Sequence, residues 1–282
     1  MIGLGLLGSS IAMGISRNNS GIKTVGYSHR AATRRRARRL GVAEVIFDDI
    51  QESVALADIV ILATPICTFE EVFKTIAPAL KAGCIVTDVG STKVLPHKWA
   101  KKVLPKFVNY VGSHPVAGSE QRGIEFGRDD LFDGTGCIIT KDRLTNPAAL
   151  QVLKKFWASL GCRVSIMTPA RHDKIFSDIS HLPHILAAAL LNASETEQLK
   201  LCGKGFIDTS RIASGPANIW ADVFWTNSDN ICSSIDRVIR ELGRLKKAVK
   251  LKNKKQIEKV LVLARSKRAK LIKYKVSKKE IM

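Results

Sequence analysis

The sequence contains no apolar run that approaches the roughly 18 residues a membrane-spanning helix needs. Its first residues, MIGLGLLGSS, also lack the basic segment that precedes the apolar core of a secretory signal. The six cysteines stand singly, without a C-x-x-C pair, and several lie in apolar, strand-like runs. Such cysteines are typical of reduced, buried thiols rather than a disulfide framework. These absences predict a cytoplasmic protein with no membrane partner.

A disordered or low-complexity composition is absent as well. Hydrophobic residues make up 45% and charged residues 25% of the chain, as in globular proteins. No Gly-, Ser- or Pro-rich linker interrupts the sequence. The 282 residues therefore fit one large folded domain or two of ordinary size that abut directly.

Basic residues exceed acidic ones by 20, but this excess is local. Residues 237–282 hold 18 Lys or Arg and only 3 Asp or Glu, a net charge of +15. Apolar residues recur with helical spacing from Ile257 to Ala264, which predicts a helix with one buried face and a solvated basic face. Only Tyr274 interleaves with the lysines, whereas stacking on bases requires several aromatics. A nucleic-acid partner is therefore disfavoured.

Short β-branched runs alternate with helix-length amphipathic segments up to about residue 168. The predicted strands lie at 24–28, 58–64, 83–90, 107–114, 136–141 and 163–168. Near-continuous apolar strands separated by helices are typical of a parallel, doubly wound sheet, and beyond Pro169 the apolar spacing is helical. The sequence thus predicts an α/β domain with a doubly wound sheet over residues 1–168 and an all-helical domain over residues 169–282.

A glycine fingerprint stands at the start of the chain. Gly3, Gly5 and Gly8 fit G-x-G-x-x-G and run into a helical segment, whose first amides can hold a pyrophosphate. We assign these glycines to cofactor binding, together with the intervening Leu6 and Leu7, although an ordinary glycine-rich turn has the same pattern. Only two residues precede the fingerprint, which leaves the first strand of the domain nearly absent: either upstream residues are missing from this sequence, or the strand is truncated.

The next predicted strand ends where the fingerprint requires its ribose-binding residue. An NAD enzyme usually has Asp or Glu there, but this sequence has Ser28, His29 and Arg30. A hydroxyl and a guanidinium would bind a 2′-phosphate that a carboxylate would repel. We therefore favour NADP over NAD, with a solvated basic helix face as the alternative. Thr64 and Pro65, at the end of the following strand, complete the predicted cofactor site.

Two polar motifs end predicted strands further along the chain. DVGSTK contains Ser91, and GSHPVAGSE contains His114 and Glu120. Ligands of open α/β sheets bind outside the carboxyl ends of the strands, where both motifs fall. A histidine fixed before proline is suited to be a base near neutral pH, although a lone histidine is more often structural.

The helical half adds a third group of polar residues. It begins with the pair His172 and Asp173 and continues with SHLPH, which contains His181 and His184. These two histidines lie one helical turn apart, but no H-E-x-x-H pattern or cysteine ligand accompanies them, so no metal site is predicted. Arg211, in the motif DTSRIA, is suited to clamp a carboxylate or to form an ion pair within the motif.

In this order and spacing, GLGLLGSS, DVGSTK, GSHPVAGSE, SHLPH and DTSRIA resemble the prephenate/arogenate dehydrogenase family over residues 1 to about 225. The resemblance implies that residues 1–168 form a Rossmann-like dinucleotide-binding domain and that residues 169–282 form a helical substrate domain through which the protein forms a homodimer. It also implies oxidation of prephenate to 4-hydroxyphenylpyruvate and carbon dioxide with NADP or NAD, in tyrosine biosynthesis. The alternative substrate is arogenate, which gives tyrosine. The regulatory ACT domain of many members does not follow, so we expect no feedback control through it.

The resemblance further implies roles for individual residues. His114 is implied as the catalytic acceptor for the ring hydroxyl, and Ser91 as the group that orients it. Arg211 is implied as the clamp on the side-chain carboxylate of the substrate, and His184 as a histidine of the substrate pocket. The remaining implied residues are an acidic pair that gates the pocket and an aromatic on its wall, namely Glu120, Asp208 and Trp220.

Two other functions compete with this one. A different Rossmann dehydrogenase, such as a 3-hydroxyacid type, shares the glycine fingerprint but requires a catalytic lysine in the helical half and has no SHPxAGSE motif. A nucleic-acid binder would use the basic C-terminal segment. Activity with prephenate, set against retention on heparin at physiological salt, separates these possibilities.

Overall fold

The structure, a computed structural model, describes residues 1–18, 21–117 and 121–278. The chain divides into two compact units, residues 1–228 and 229–282. The strands of the first unit are β1 (Val25–Gly26), β2 (Val45–Ile46), β3 (Ile59–Leu62), β4 (Ile85–Asp88), β5 (Asn109–Tyr110), β6 (Gly112–Val116), β7 (Gly136–Thr140) and β8 (Arg163–Met167).

The helices up to residue 168 are α1 (Leu6–Arg17), α2 (Ala31–Leu40), α3 (Ile50–Val54), α4 (Phe69–Ile76), α5 (Val94–Val103) and α6 (Pro147–Ser159). Those that follow are α7 (Pro169–Phe176), α8 (Leu182–Asn192), α9 (Thr196–Leu199), α10 (Lys204–Ser210), α11 (Ala217–Thr226), α12 (Ser228–Lys250) and α13 (Lys254–Ser277). From α7 to residue 278 the described chain contains helices and no strand, as the apolar spacing predicts. In the described ranges no helix is both long and apolar enough to cross a membrane.

The segment before α1 pairs with the chain on both sides. Ile2 forms parallel bridges to Tyr27, just after β1, and to Leu62 of β3. The Ile2 amide donates to Ile61 O over 2.9 Å, and the Gly3 amide donates to Tyr27 O over 2.8 Å. With β1 parallel to β2, and β3, β4 and β5 parallel to one another, this segment lies at the centre of the parallel arrangement.

Both faces of this sheet are covered, which explains why its strands are continuously apolar. Side chains alternate between the faces along β3: Ile61 packs in the cluster that includes α1 and α6, whereas Val60 and Leu62 pack in the cluster that includes Phe69 and Phe73 of α4. Helices packed on both faces therefore fix the positions of the strand ends and of the loops that follow them.

One pair of strands departs from the predicted parallel order. The predicted strand at 107–114 is divided into β5 and β6, and β6 runs antiparallel to β7. The described part of their connection, residues 117 and 121–135, contains no α-helix that could carry the chain back across the sheet. The next connection contains α6, and β7 and β8 are accordingly parallel.

The second unit corrects one expectation about the basic segment. The apolar stripe of α13, from Ile257 to Ala264, does not form a buried face: α13 has no buried residue among those described, and Leu261 is 58% exposed. A unit of two helices offers too little surface to cover such a stripe.

Candidate active site

A cleft of about 870 Å³ opens at the carboxyl ends of the strands in the first unit. Its walls come from the glycine fingerprint, from the loops after β3 and β4, from β6 and the residues that follow it, and from residues 211–223. The predicted site residues on these walls are Gly5, Leu6, Leu7, Thr64, Pro65, Ser91, His114, Arg211 and Trp220. The fold thus brings residues from distant motifs to one cleft.

The glycine fingerprint leaves the N-terminus of α1 open. Gly3 has φ of +96°, and a Cβ on it would lie 2.6 Å from the carbonyl oxygen of Ala63, while a Cβ on Gly8 would collide with the Gly3 carbonyl. Gly5 precedes α1, no side chain caps the helix, and a Cβ on Gly5 would meet no atom within 4 Å. These uncapped amides beside open space fit the pyrophosphate of a dinucleotide.

The predicted ribose-binding residues follow β1. Ser28 is buried, whereas His29 and Arg30 are exposed at the start of α2. Arg34 is engaged with the loop itself, because its guanidinium donates to Ser28 O and to Asp48 Oδ1, both over 2.7 Å. Arg34 is thus held by the loop after β1, whereas the side chains of His29 and Arg30 are exposed beside it.

His114 begins a buried chain of hydrogen bonds. Its Nδ1 lies 2.8 Å from His172 Nε2, and His172 Nδ1 lies 2.8 Å from Asp173 Oδ1. The two carboxylate oxygens of Asp173 also accept the backbone amides of Lys93, over 2.7 Å, and Val94, over 2.8 Å. The side chains of His114, His172 and Asp173 are all buried.

This arrangement sets the protonation of His114. Both oxygens of Asp173 act as acceptors, so His172 donates to the carboxylate from Nδ1 and accepts at Nε2. His114 then donates from Nδ1 and keeps an unprotonated Nε2. Burial lowers the pKa of His114 well below 6.5, and the nearby His172 and Lys93 lower this pKa further. The result is a neutral imidazole that can accept a proton at Nε2.

A buried ion pair supports this series of hydrogen bonds. The sequence predictions do not include the ion pair. The Lys93 ammonium pairs with Asp88, and both side chains are fully buried. Asp88 also accepts hydrogen bonds from the Tyr110 hydroxyl and the Gly90 amide, both over 2.7 Å. These contacts fix the turn after β4, whose Lys93 amide holds Asp173. The signal in the sequence is DVGSTK itself, in which an acid and a base flank a glycine turn at a strand end.

The orienting contact on His114 comes from His172. Ser91 borders the same cleft, and its predicted role in orienting His114 stays a prediction. The sequence singles out His172 and Asp173 as polar residues but does not connect them with His114, which lies 58 residues before His172. Phe176 holds the two rings, since it stacks on His172 at 4.4 Å and contacts His114 at 4.7 Å between ring centroids.

His184 lies behind the wall of the cleft rather than on it. The His184 ring stacks on Trp220 with centroids 3.7 Å apart, and it is Trp220 that borders the cleft. Gly215 allows this packing, because a Cβ there would lie 3.0 Å from His184 Cε1. The neighbouring His181 lies 3.1 Å from the side-chain amide of Asn227. Among the described residues no group of His, Cys, Asp and Glu side chains is placed to hold a metal ion.

Of the predicted acidic pair, only Asp208 belongs to the described residues. Arg211 is exposed and borders the cleft from the 3-10 turn Arg211–Ser214. Asp208 is exposed on α10 and is not part of the wall, and Glu120 lies outside the described residues. A second arginine that the sequence predictions do not include, Arg122, also borders the cleft. Its Nη1 donates to Asn218 Oδ1 over 2.9 Å.

Comparison with known proteins gives one consistent answer. Residues 11–166 match the family model of the prephenate dehydrogenase nucleotide-binding domain, and residues 168–263 match that of the prephenate dehydrogenase dimerisation domain. The chain is 32% identical over 256 residues to the cyclohexadienyl dehydrogenase of Zymomonas mobilis, covering 88% of this chain and 87% of that protein. It is 33% identical over 253 residues to the prephenate dehydrogenase of Bacillus subtilis, covering 87% and 68%.

A solved structure agrees with the sequence comparisons. The crystal structure of prephenate dehydrogenase from A. aeolicus in complex with hydroxyphenyl propionate and NAD+ has a TM-score of 0.89 and 30% identity to this chain, and 96% of each chain is covered. The predicted family resemblance and Rossmann-like fold are confirmed, and residues 11–166 match a nucleotide-binding domain. The chain belongs to the prephenate dehydrogenase family of oxidoreductases.

Proposed function

We propose that this chain oxidises prephenate to 4-hydroxyphenylpyruvate and carbon dioxide with a nicotinamide cofactor. The observation that carries the proposal is the unprotonated Nε2 of His114, on a cleft that also contains the open N-terminus of α1 and the guanidinium of Arg211. A base, a cofactor cradle and a carboxylate clamp are what this oxidation requires of a protein.

The proposed mechanism uses His114 first as a base and then as an acid. When bound, the nicotinamide supplies the hydride acceptor. His114 Nε2 takes the proton of the ring hydroxyl, so that the C4–O bond can become a carbonyl while hydride leaves C4. The bond between the ring and its carboxylate then breaks, its electrons complete the aromatic ring, and carbon dioxide leaves. The oxygen recovers its proton from His114, which returns to the neutral form.

The test of this function is a spectrophotometric assay at 340 nm with prephenate and either NADP or NAD. We expect cofactor reduction that requires prephenate, since the cleft combines the three groups named above. Retention on heparin at physiological salt, measured in parallel, tests the rival nucleic-acid function. Absence of cofactor reduction from a folded protein would reject the proposal, and arogenate in the same assay tests the second candidate substrate.

We further propose that NADP is preferred over NAD, with Ser28, His29 and Arg30 around the 2′-phosphate. Arg30→Asp is expected to shift the ratio of kcat/KM values toward NAD, because a carboxylate repels a 2′-phosphate and accepts a hydrogen bond from a 2′-hydroxyl. Arg39→Asp, the same charge change at the far end of α2, is the control and should leave the ratio unchanged. Equal or higher kcat/KM with NAD in the unaltered protein would contradict this proposal.

We also retain the division into a nucleotide-binding domain over residues 1–168 and a helical domain over residues 169–282, with a homodimer formed through the latter. Support comes from the dimerisation-domain match over residues 168–263. The exposed apolar side chains of α13, such as Leu261 and Leu271, are surfaces that a second copy of the chain would cover.

A further inference from the structure

The charged groups on the described wall of the cleft are of one sign. Arg122 and Arg211 both border the cleft, and no described wall residue is Asp or Glu. Burial lowers the pKa of His114, so this third ionisable group is neutral and adds no charge to the wall. The cleft is thus built to receive an anion with more than one negative or acceptor group.

The two guanidinium groups border the same stretch of wall. Arg211 begins the 3-10 turn that leads directly into α11. Arg122 comes from the segment after β6, and its hydrogen bond of 2.9 Å to Asn218 ties it to the first turn of α11. Helix α11 also supplies Ile219 and Trp220 to the cleft. Arg122 therefore lies on the side of the cleft where Arg211 is proposed to hold the substrate side chain.

Prephenate and arogenate differ at that side chain. Prephenate ends in a 2-oxo acid, whose ketone and carboxylate oxygens only accept hydrogen bonds, whereas arogenate carries an ammonium beside its carboxylate. A guanidinium only donates, so it matches the 2-oxo acid and opposes the ammonium in both hydrogen bonding and charge. Asp208, an acid that would match an ammonium, is exposed outside the described wall.

We propose that Arg122 is a specificity-determining residue that selects the 2-oxo acid side chain of prephenate over the amino acid side chain of arogenate. This inference rests on the proposed function and assigns part of the substrate selectivity to a residue outside the predicted site. The competing explanation is structural, in which Arg122 only ties the segment after β6 to α11 through Asn218.

Three variants separate these explanations. Arg122→Gln removes the charge but keeps an amide donor for Asn218, and Arg122→Lys keeps the charge. Arg128→Gln is the matched control, because Arg128 lies in the same segment, pairs with Asp130 over 2.8 Å and does not border the cleft. Steady-state kinetics with prephenate and with arogenate, each at saturating cofactor, give KM and kcat for all forms.

Arg122→Gln is expected to raise KM for prephenate about tenfold, the loss of one charge-assisted hydrogen bond, with kcat nearly unchanged. KM for arogenate should stay the same or fall, and Arg122→Lys should retain most of the preference for prephenate. Equal changes for both substrates, or no change for either, would overturn the inference and leave the proposed function intact. A preference of the unaltered protein for arogenate would also overturn it, whereas failure to oxidise either substrate would reject the proposed function as well.

Discussion

Replacement of His114 by Asn is expected to lower kcat with prephenate by about 10²- to 10⁴-fold while KM changes little. Asn keeps a polar side chain that can donate to His172, but it cannot accept the proton of the ring hydroxyl. Steady-state kinetics with thermal unfolding as a check on folding provide the measurement. His97→Asn is the matched control, because His97 contacts Thr140 over 2.9 Å and does not border the cleft. A His114→Asn enzyme with near-normal kcat would refute the mechanism.

The pH profile gives a second measurement on the same residue. Burial, followed by the nearby His172 and Lys93, lowers the pKa of His114 below 6.5. The active form is the neutral base, which predominates at every pH above that lowered pKa. We therefore expect kcat/KM to stay constant as the pH falls through 6.5 and to decline only at lower pH. An acid limb centred at or above 6.5 that disappears in His114→Asn would contradict the assigned environment.

The second large effect is expected from Arg211→Ala, which should raise KM for prephenate roughly 30- to 100-fold, about 2–3 kcal/mol of lost binding free energy. A carboxylate at the far end of the substrate is bound about equally in the ground and transition states, so kcat should change far less than KM. The expected loss of binding free energy is at the lower end for a hydrogen-bonded ion pair, because Arg211 is exposed in the protein without substrate. Kinetics and thermal unfolding of the same variant are measured together.

A purely structural role for Arg211 makes a different prediction. If Arg211 served only to pair with Asp208 and hold two helical segments together, Arg211→Ala would lower Tm and leave KM unchanged. Under that structural role, Asp208→Asn would lower Tm as Arg211→Ala does. If Arg211 is a substrate clamp, Asp208→Asn should leave KM for prephenate unchanged. An unchanged KM in a destabilised Arg211→Ala protein would remove Arg211 from the substrate site.

Features of the site that depend on local sequence were predictable. Gly8 is required because a Cβ there would collide with the Gly3 carbonyl in the same turn, and this requirement is visible in their spacing. The close approach of Gly3 itself is to the distant Ala63. The apolar strands predict a covered sheet because both faces of β3 are buried. The antiparallel course of β6 and β7 was not predictable, because a strand's direction depends on the path of its connection and not on its own residues.

Contacts between segments distant in the sequence were also not predictable. His114 and His172 lie on a strand and a helix separated by 58 positions, and no pattern along the chain pairs them. Lys93 contradicts the usual rule that lysine is exposed, since its cost of burial is offset by an acid five positions earlier that is buried with it. The sequence around Arg122 has no feature that predicts a functional role, and only the structure shows that Arg122 borders the cleft.

The hydrogen-bond chain of His114 joins the two halves of the family's architecture. His114 belongs to β6 and the amides that hold Asp173 belong to residues 93 and 94, whereas His172 and Asp173 belong to α7, the first helix of the region that matches the dimerisation domain. The basicity of the active site is consequently a shared property of both halves. A fragment that ends at residue 168 would retain the dinucleotide cradle but lose the partner that defines the tautomer of its base.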